Sequence, residues 1–312
     1  MKKVIVALGG NALENNAEPT AENQLKVIKS SVKNIADLIE AGYSVTLTHG
    51  NGPQVGRIAL QNEAAKAITP ILPFDVCGAM SQGMIGYHIQ QALGEELLLR
   101  KIKMPVVSII TQVLVDKNDS AFKNPTKPIG PFYSAKEAKE LAATKGYSIK
   151  EDSGRGFRRV VASPKPLRII ELEAIKNLIN NKFIVITVGG GGIPVIAKGD
   201  SQLVGVAAVI DKDFASAKLA EDIDADLLII LTAVDKVALN FGKPNQSFLD
   251  KVTIKDIEKY IAAGHFAAGS MLPKIQASLN FVKSKPNRKA LITSLEKVKD
   301  ALNNKNGTYI ME

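Results

Sequence analysis

A three-layer αβα sandwich with a mostly parallel central sheet and a small inserted lid subdomain is predicted on three observations. Short apolar runs alternate with amphipathic segments along most of the chain, the pattern of strands and crossover helices in an α/β fold. Three of the apolar runs end directly in glycine turns: Gly9-Gly10-Asn11, Gly50-Asn51-Gly52 and Gly189-Gly190-Gly191-Gly192. One stretch, residues 117–166, breaks the rhythm with Pro125, Pro128, Pro131, Pro164 and Pro166 among many lysines and arginines.

The elements follow in order. Val4–Leu8 is apolar and strand-like. A helix comes next, with Thr20 as N-cap and an apolar face of Leu25, Ile28, Val32, Ile35 and Ile39. Those spacings of three and four trace one side of a helix, and Gly42 closes it. Tyr43–Thr48 is the second strand, and Pro53 is expected at the first helical position, where its missing N–H costs nothing. Val76–Leu99 reads as a helix rich in small residues (Gly78, Ala79, Ser81, Gly83, Gly86), suited to close packing within the chain or against a second copy. Pro105–Val115 reads as a buried strand pair, and Phe183–Val188, Leu227–Leu231 and Ala290–Thr293 as strands. Thr308–Ile310 is expected as a final edge strand. The 117–166 segment, with a short helix near Ser134–Thr144, is expected to form a lid or a surface excursion. No linker divides the rest, so the chain is read as one domain over 1–312 carrying that insertion.

Glycines after a strand let backbone N–H groups converge on an anion, and a following helix adds the positive end of its dipole. Two such turns on one sheet suggest a phosphate-handling enzyme. Neither common nucleotide motif is present. Gly56 falls one residue late for Gly-x-Gly-x-x-Gly, with Val55 in its place, and the Gly242-Lys243 pair is followed by Pro244. With 46% hydrophobic and 23% charged residues, disorder and disulfide frameworks are excluded; Cys77 stands alone and reads as a small buried hydrophobe. The apolar runs are strand-sized, the Met1-Lys2-Lys3 start leads into a strand rather than a leader peptide, and a cytoplasmic protein without membrane contact is expected. The net charge is +9, but aromatics are 5% and tryptophan is absent, so a solvated surface is favoured over a nucleic-acid interface. His49 is expected to hydrogen-bond its turn rather than to catalyse, and Asp211 to serve as either a helix N-cap or a metal ligand.

Several segments together resemble the carbamate kinases of the amino acid kinase superfamily. They are Ala7–Leu13, His49–Gly56, Met80–Gly83 running on to Tyr87, Asn124–Tyr133, Gly156–Pro164, Gly189–Pro194, Val209–Asp213, Leu231–Asp235 and Gly269–Lys274. The two segments of the insertion are the ones most specific to carbamate kinases. The resemblance implies reversible phosphoryl transfer between ATP and carbamate, with Mg2+, running in fermentative arginine breakdown toward ATP from ADP and carbamoyl phosphate. It implies a homodimer. It assigns Gly9, Gly10, Asn11, Gly50, Asn51 and Gly52 to the cradle around the phosphoryl group and carbamate. Lys212 and Lys274 would neutralise phosphoryl oxygens and touch the nucleotide, Asp213 would orient them, and Lys127 would reach the carbamoyl phosphate side. Leu231, Thr232, Ala233 and Val234 would lie near the nucleotide. Ala207 departs from the family, which often has Glu there, and metal affinity or rate would feel the change. The alternatives are another amino acid kinase acting on a carboxylate, phosphonate or nucleoside monophosphate, or a nucleotide-binding regulator without turnover. The chemistry agrees with the kinase reading: phosphoryl transfer needs positioning and charge neutralisation, and carbamate, already an anion, needs no general base.

Overall fold

Alternation within the first strand sets the layering. In β1 (Lys3–Leu8), Val4, Val6 and Leu8 enter one apolar core while Ile5 and Ala7 enter the other. A strand buried on both faces in this way belongs in the middle of a sheet covered by helices. The structure is a computed structural model and describes residues 1–14, 17–152 and 154–312, without the Asn11 side chain. Its central sheet has eight strands, ordered Lys251–Thr253, Thr308–Met311, Lys289–Ser294, Leu227–Thr232, β1, β2 (Ser44–His49), Ile184–Ile186 and Val106–Ser108. The one antiparallel pairing joins Lys289–Ser294 to Thr308–Met311; the others are parallel.

Nine helices are described: α1 (Ala21–Glu40), α2 (Gly52–Ala64), α3 (Phe74–Leu99), α4 (Ala135–Lys145), α5 (Leu172–Asn180), α6 (Lys212–Asp222), α7 (Ile254–Ala262), α8 (Met271–Lys283) and α9 (Val298–Leu302). α1, α3 and α9 cover one face, through Ile28, Ile35, Ile85, Leu93 and Val298; α5 to α8 cover the other, through Ile175, Leu219, Ile257 and Ile275. This is the αβα sandwich expected from the sequence. Thr20 caps α1 by accepting the Asn23 N–H at 3.2 Å, and Gly42 ends its last turn at φ +88°.

Three local readings change. Thr308–Met311 is not an edge strand, because Lys251–Thr253, too short to show a period, pairs outside it. Pro105–Val115 splits between two sheets. Val106–Ser108 ends the central sheet, while Gln112–Leu114 pairs with Ile193–Lys198 in a separate four-stranded sheet, the chain crossing over at the exposed Ile110. Pro53 is the second residue of α2, not the first, since Gly52 opens the helix.

The insertion carries its own antiparallel sheet, Lys127–Tyr133, Phe157–Val161 and Ile149–Glu151, with α4 opened by a Ser134/Glu137 capping box. It lies directly on α2. Val55, Ile58, Cys77, Ile129 and Val209 form a shared apolar cluster. A Cβ at Gly56 would overlap the Gly130 backbone, so helix and strand touch main chain to main chain. Glu63 at the far end of α2 accepts from Lys145 Nζ at 3.0 Å, from Arg159 Nη1 at 3.2 Å and from the Tyr147 hydroxyl.

Candidate functional site

The site is built where the parallel strands end. β1 and β2 run in register, Leu8 opposite His49, so the turns that follow them lie side by side. Ligands in parallel sheets collect at such carboxyl ends. After β1 the chain makes a tight turn at Gly10–Ala12; a Cβ on Gly9 would stand 2.6 Å from the Leu231 carbonyl, so glycine lets these two strand ends close together. After β2, Gly50 and Asn51 lead into α2, whose free N–H groups and positive dipole end face the same space. Asn11 lies in the first turn, and its side chain lies outside the described residues.

The start of α6 is fastened to the end of β2. Ser216 Oγ donates to the Lys212 carbonyl at 2.6 Å, which leaves Thr48 Oγ1 to donate to Ser216 Oγ at 2.6 Å. Asp211 is the N-cap, its Oδ1 accepting from the Asp213 N–H at 2.9 Å. This fixes a charge cluster. Asp213, 2% exposed, accepts from Lys212 Nζ at 2.7 Å and from Lys274 Nζ at 2.8 Å. Lys127 Nζ reaches in from the insertion to Asp211 Oδ2 at 2.6 Å. The four residues expected to be catalytic, Lys127, Lys212, Asp213 and Lys274, therefore lie together.

Burial alone would raise the Asp213 pKa, but the two ammonium groups hold it far below the usual carboxylate range. Burial and the neighbouring Lys274 charge lower the pKa of Lys212 despite Asp213. For Lys274 burial pulls the same way and the Asp213 carboxylate outweighs it, raising the pKa. Lys212 is thus the less firmly charged of the two, a cation that gains from an added anion.

Two cavities open on this cluster. One, of about 330 Å3, is lined by Gly9, Gly10, Leu231, Thr232, Ala233 and Lys274 among others. The second, of about 220 Å3, is lined by Gly50, Asn51, Gly52, Lys127, Arg158 and Gly190 among others. Lys212 is the one described residue that lines both. Val234 does not line the first cavity. The Gly189–Gly192 turn is a buried floor; within it Gly190 alone lines the second cavity, and the Asn51 side chain packs over it. Asn51 is held from below by donating to Ser81 Oγ at 2.8 Å. Ala207 is exposed, next to Ala208, which bridges to Ala162 of the insertion.

His49 sits beneath the turn, 1% exposed, its Nδ1 2.8 Å from the Gly50 carbonyl. Burial pushes its pKa down to about 4. The ring is therefore neutral, with Nδ1–H donating, in the turn-holding role expected of it. Below pH 6.5 an unfolded chain takes up a proton here that the folded chain refuses until about pH 4. Stability should fall by about 3 kcal/mol across that window through this residue. Urea unfolding between pH 7 and 4 should show a flatter acid limb in His49→Gln; equal slopes would remove His49 from the acid response.

Arg158 stands inside the Gly156–Pro164 segment of the resemblance but was assigned no role there. Period-two alternation over Phe157–Val161 puts it on the buried face with Val160. Thr48 and Ser216 carry no sequence signal, because their partnership joins residues 168 positions apart.

The comparisons with known proteins identify the family. The model of the amino acid kinase family matches residues 2–294. A carbamate kinase of Clostridium perfringens is 54% identical over 99% of this chain and 100% of its own. The carbamate kinase-like protein YqeA of Escherichia coli is 55% identical over 100% of this chain and 99% of its own. A structure of the Giardia lamblia carbamate kinase bound to citric acid superposes with a TM-score of 0.94 at 44% identity, over 99% of this chain and 98% of its own. The same Giardia enzyme bound to AMP-PNP superposes with a TM-score of 0.90 at 45% identity, over the same shares of both chains.

Proposed function

We propose a reaction for this chain on the ground that it belongs to the amino acid kinase family and, within it, to the carbamate kinases. It is a phosphotransferase, and its reaction is carbamoyl phosphate plus ADP giving carbamate plus ATP, reversibly. The observation that carries this reading is the single lysine common to two cavities. The Gly9–Leu231 cavity takes the nucleotide, the Gly50–Lys127 cavity takes carbamate or carbamoyl phosphate, and Lys212 stands where the phosphoryl group passes between them.

In the ATP-forming direction a β-phosphate oxygen of ADP bonds to phosphorus while the bond from phosphorus to the carbamate oxygen breaks, and carbamate leaves as an anion. No proton needs to move. The chain's work is to align the two oxygens and to neutralise charge on the transferring group. Backbone N–H groups at Gly9-Gly10 and at the start of α2 supply directed donors, and Lys212 and Lys274 supply charge. Asp213 keeps both ammonium groups aimed inward. The insertion, bringing Lys127 and Arg158 over the acceptor cavity, acts as its lid.

Magnesium is proposed to enter on the nucleotide. Among the described residues, no three His, Cys, Asp or Glu gather to hold a metal. Mg2+ bound mainly through phosphates and water needs only one or two carboxylates, and Glu296 lines the nucleotide cavity. The ion would there offset phosphate charge.

A homodimer is also proposed. α3 exposes Val76, Met80, Tyr87 and Leu98 along one side, at 37 to 76%, beside the end strand Val106–Ser108 of the central sheet. A stripe of that kind calls for cover, and a second copy packed against α3 provides it. Among the described residues no helix is long and apolar enough to cross a membrane. A place in the cytoplasm and in arginine breakdown completes the reading. The test is direct: purified protein with ADP, Mg2+ and carbamoyl phosphate should form ATP well above a no-enzyme control. A folded, ADP-binding protein that forms none would point to a related kinase or a regulator.

A further inference from the structure

We propose that Arg158 binds the acceptor substrate, its Nη2 donating to the oxygens of the carbamoyl group. The inference rests on the reaction proposed above and adds the side chain that reads the non-phosphoryl end of the substrate. Arg158 is 9% exposed, a large charged group nearly removed from water. Its Nε donates to the Gly130 carbonyl at 3.1 Å and its Nη1 to Asp152 Oδ2 at 3.2 Å. Its Nη2 is buried and has no hydrogen-bond partner among the described residues. A buried donor left unpaired costs about 1–3 kcal/mol, more when charged, so the arrangement is completed by an acceptor that comes and goes.

The surroundings define that acceptor. Nη2 faces the first residue of α2, lying 3.8 Å from where a Cβ on Gly52 would stand. The positive end of a helix and a guanidinium thus line the same cavity of about 220 Å3, and an anion bound there meets both. Lys127, in the same cavity, already has Asp211. The guanidinium lies 5.2 Å from the centre of the Phe132 ring, which helps to fix its plane. A planar fork in a small space suits a planar anion with two oxygens. The phosphorus belongs at Lys212, where the cavities meet, and the rest of the acceptor extends toward the walls that include Arg158.

Arg158→Lys and Arg158→Gln test this, with ATP formation measured against both substrates. The expected result is a KM for carbamoyl phosphate raised about ten- to a hundredfold, while the KM for ADP stays within about twofold. The lysine variant should not restore the wild-type value, because one ammonium cannot reproduce the fork. Both KM values unchanged in folded, active variants would overturn the proposal and leave the reaction standing. No ATP from the wild type would overturn the reaction, and this inference with it. Failure of both variants to fold would make Arg158 a structural tie of the insertion and overturn its substrate role.

Discussion

Lys212→Ala is expected to lower kcat for ATP formation at least about a thousandfold, or about 4 kcal/mol of lost transition-state stabilisation, while the fold stays intact. The fold should hold because Asp213 keeps Lys274 at 2.8 Å, so no buried carboxylate is orphaned. The rate should collapse because Lys212 is the one described residue lining both cavities. Charge builds on the transferring group between them, and Lys274 meets it from the nucleotide side only. Substrate affinities should change far less than kcat, since the loss falls on the transition state. Steady-state kinetics with a circular dichroism spectrum of the variant decide it. Turnover within tenfold of wild type would remove Lys212 from the transfer.

Asp213→Asn should cost stability as well as rate. The substitution keeps the shape and removes the charge that two partly buried lysines share at 2.7 and 2.8 Å. Breaking one side of a buried ion pair costs about 3–5 kcal/mol, and here two ammonium groups are left facing each other. Urea unfolding should show a loss of that size. Lys212, already depressed by burial and by Lys274, should lose its proton at lower pH still. The activity that survives should therefore decline as pH rises, at a lower pH than in wild type. An unchanged midpoint of unfolding would mean that Asp213 is not the anchor of the cluster.

The sandwich was legible because its signals are local. The spacing of Leu25, Ile28 and Val32, the Thr20 cap and the runs ending at Gly9 and Gly50 each sit in one stretch of chain, and the folded protein keeps them. The lysine cluster was legible as a resemblance only; nothing in the spacing of Lys127, Lys212 and Lys274 says that they converge on Asp211 and Asp213. The Thr48–Ser216 bond and the buried face of Arg158 depend on contacts between distant segments. The place of Lys251–Thr253 outside Thr308–Met311 is likewise a matter of tertiary pairing, and a three-residue strand has too little periodicity to announce it.

The main-chain contact between Gly56 and Gly130 sets a rule for recombination. Parts of a protein can be exchanged between relatives when the boundary between them is made of side chains, which repack. Here the insertion and α2 also meet backbone to backbone, at Gly130 and Gly56, with no room for a methyl group. The insertion is therefore not a detachable module, although it is continuous in sequence and has its own sheet. A chimera that borrows residues 117–166 must take α2 from the same parent, and the natural crossover points lie outside both.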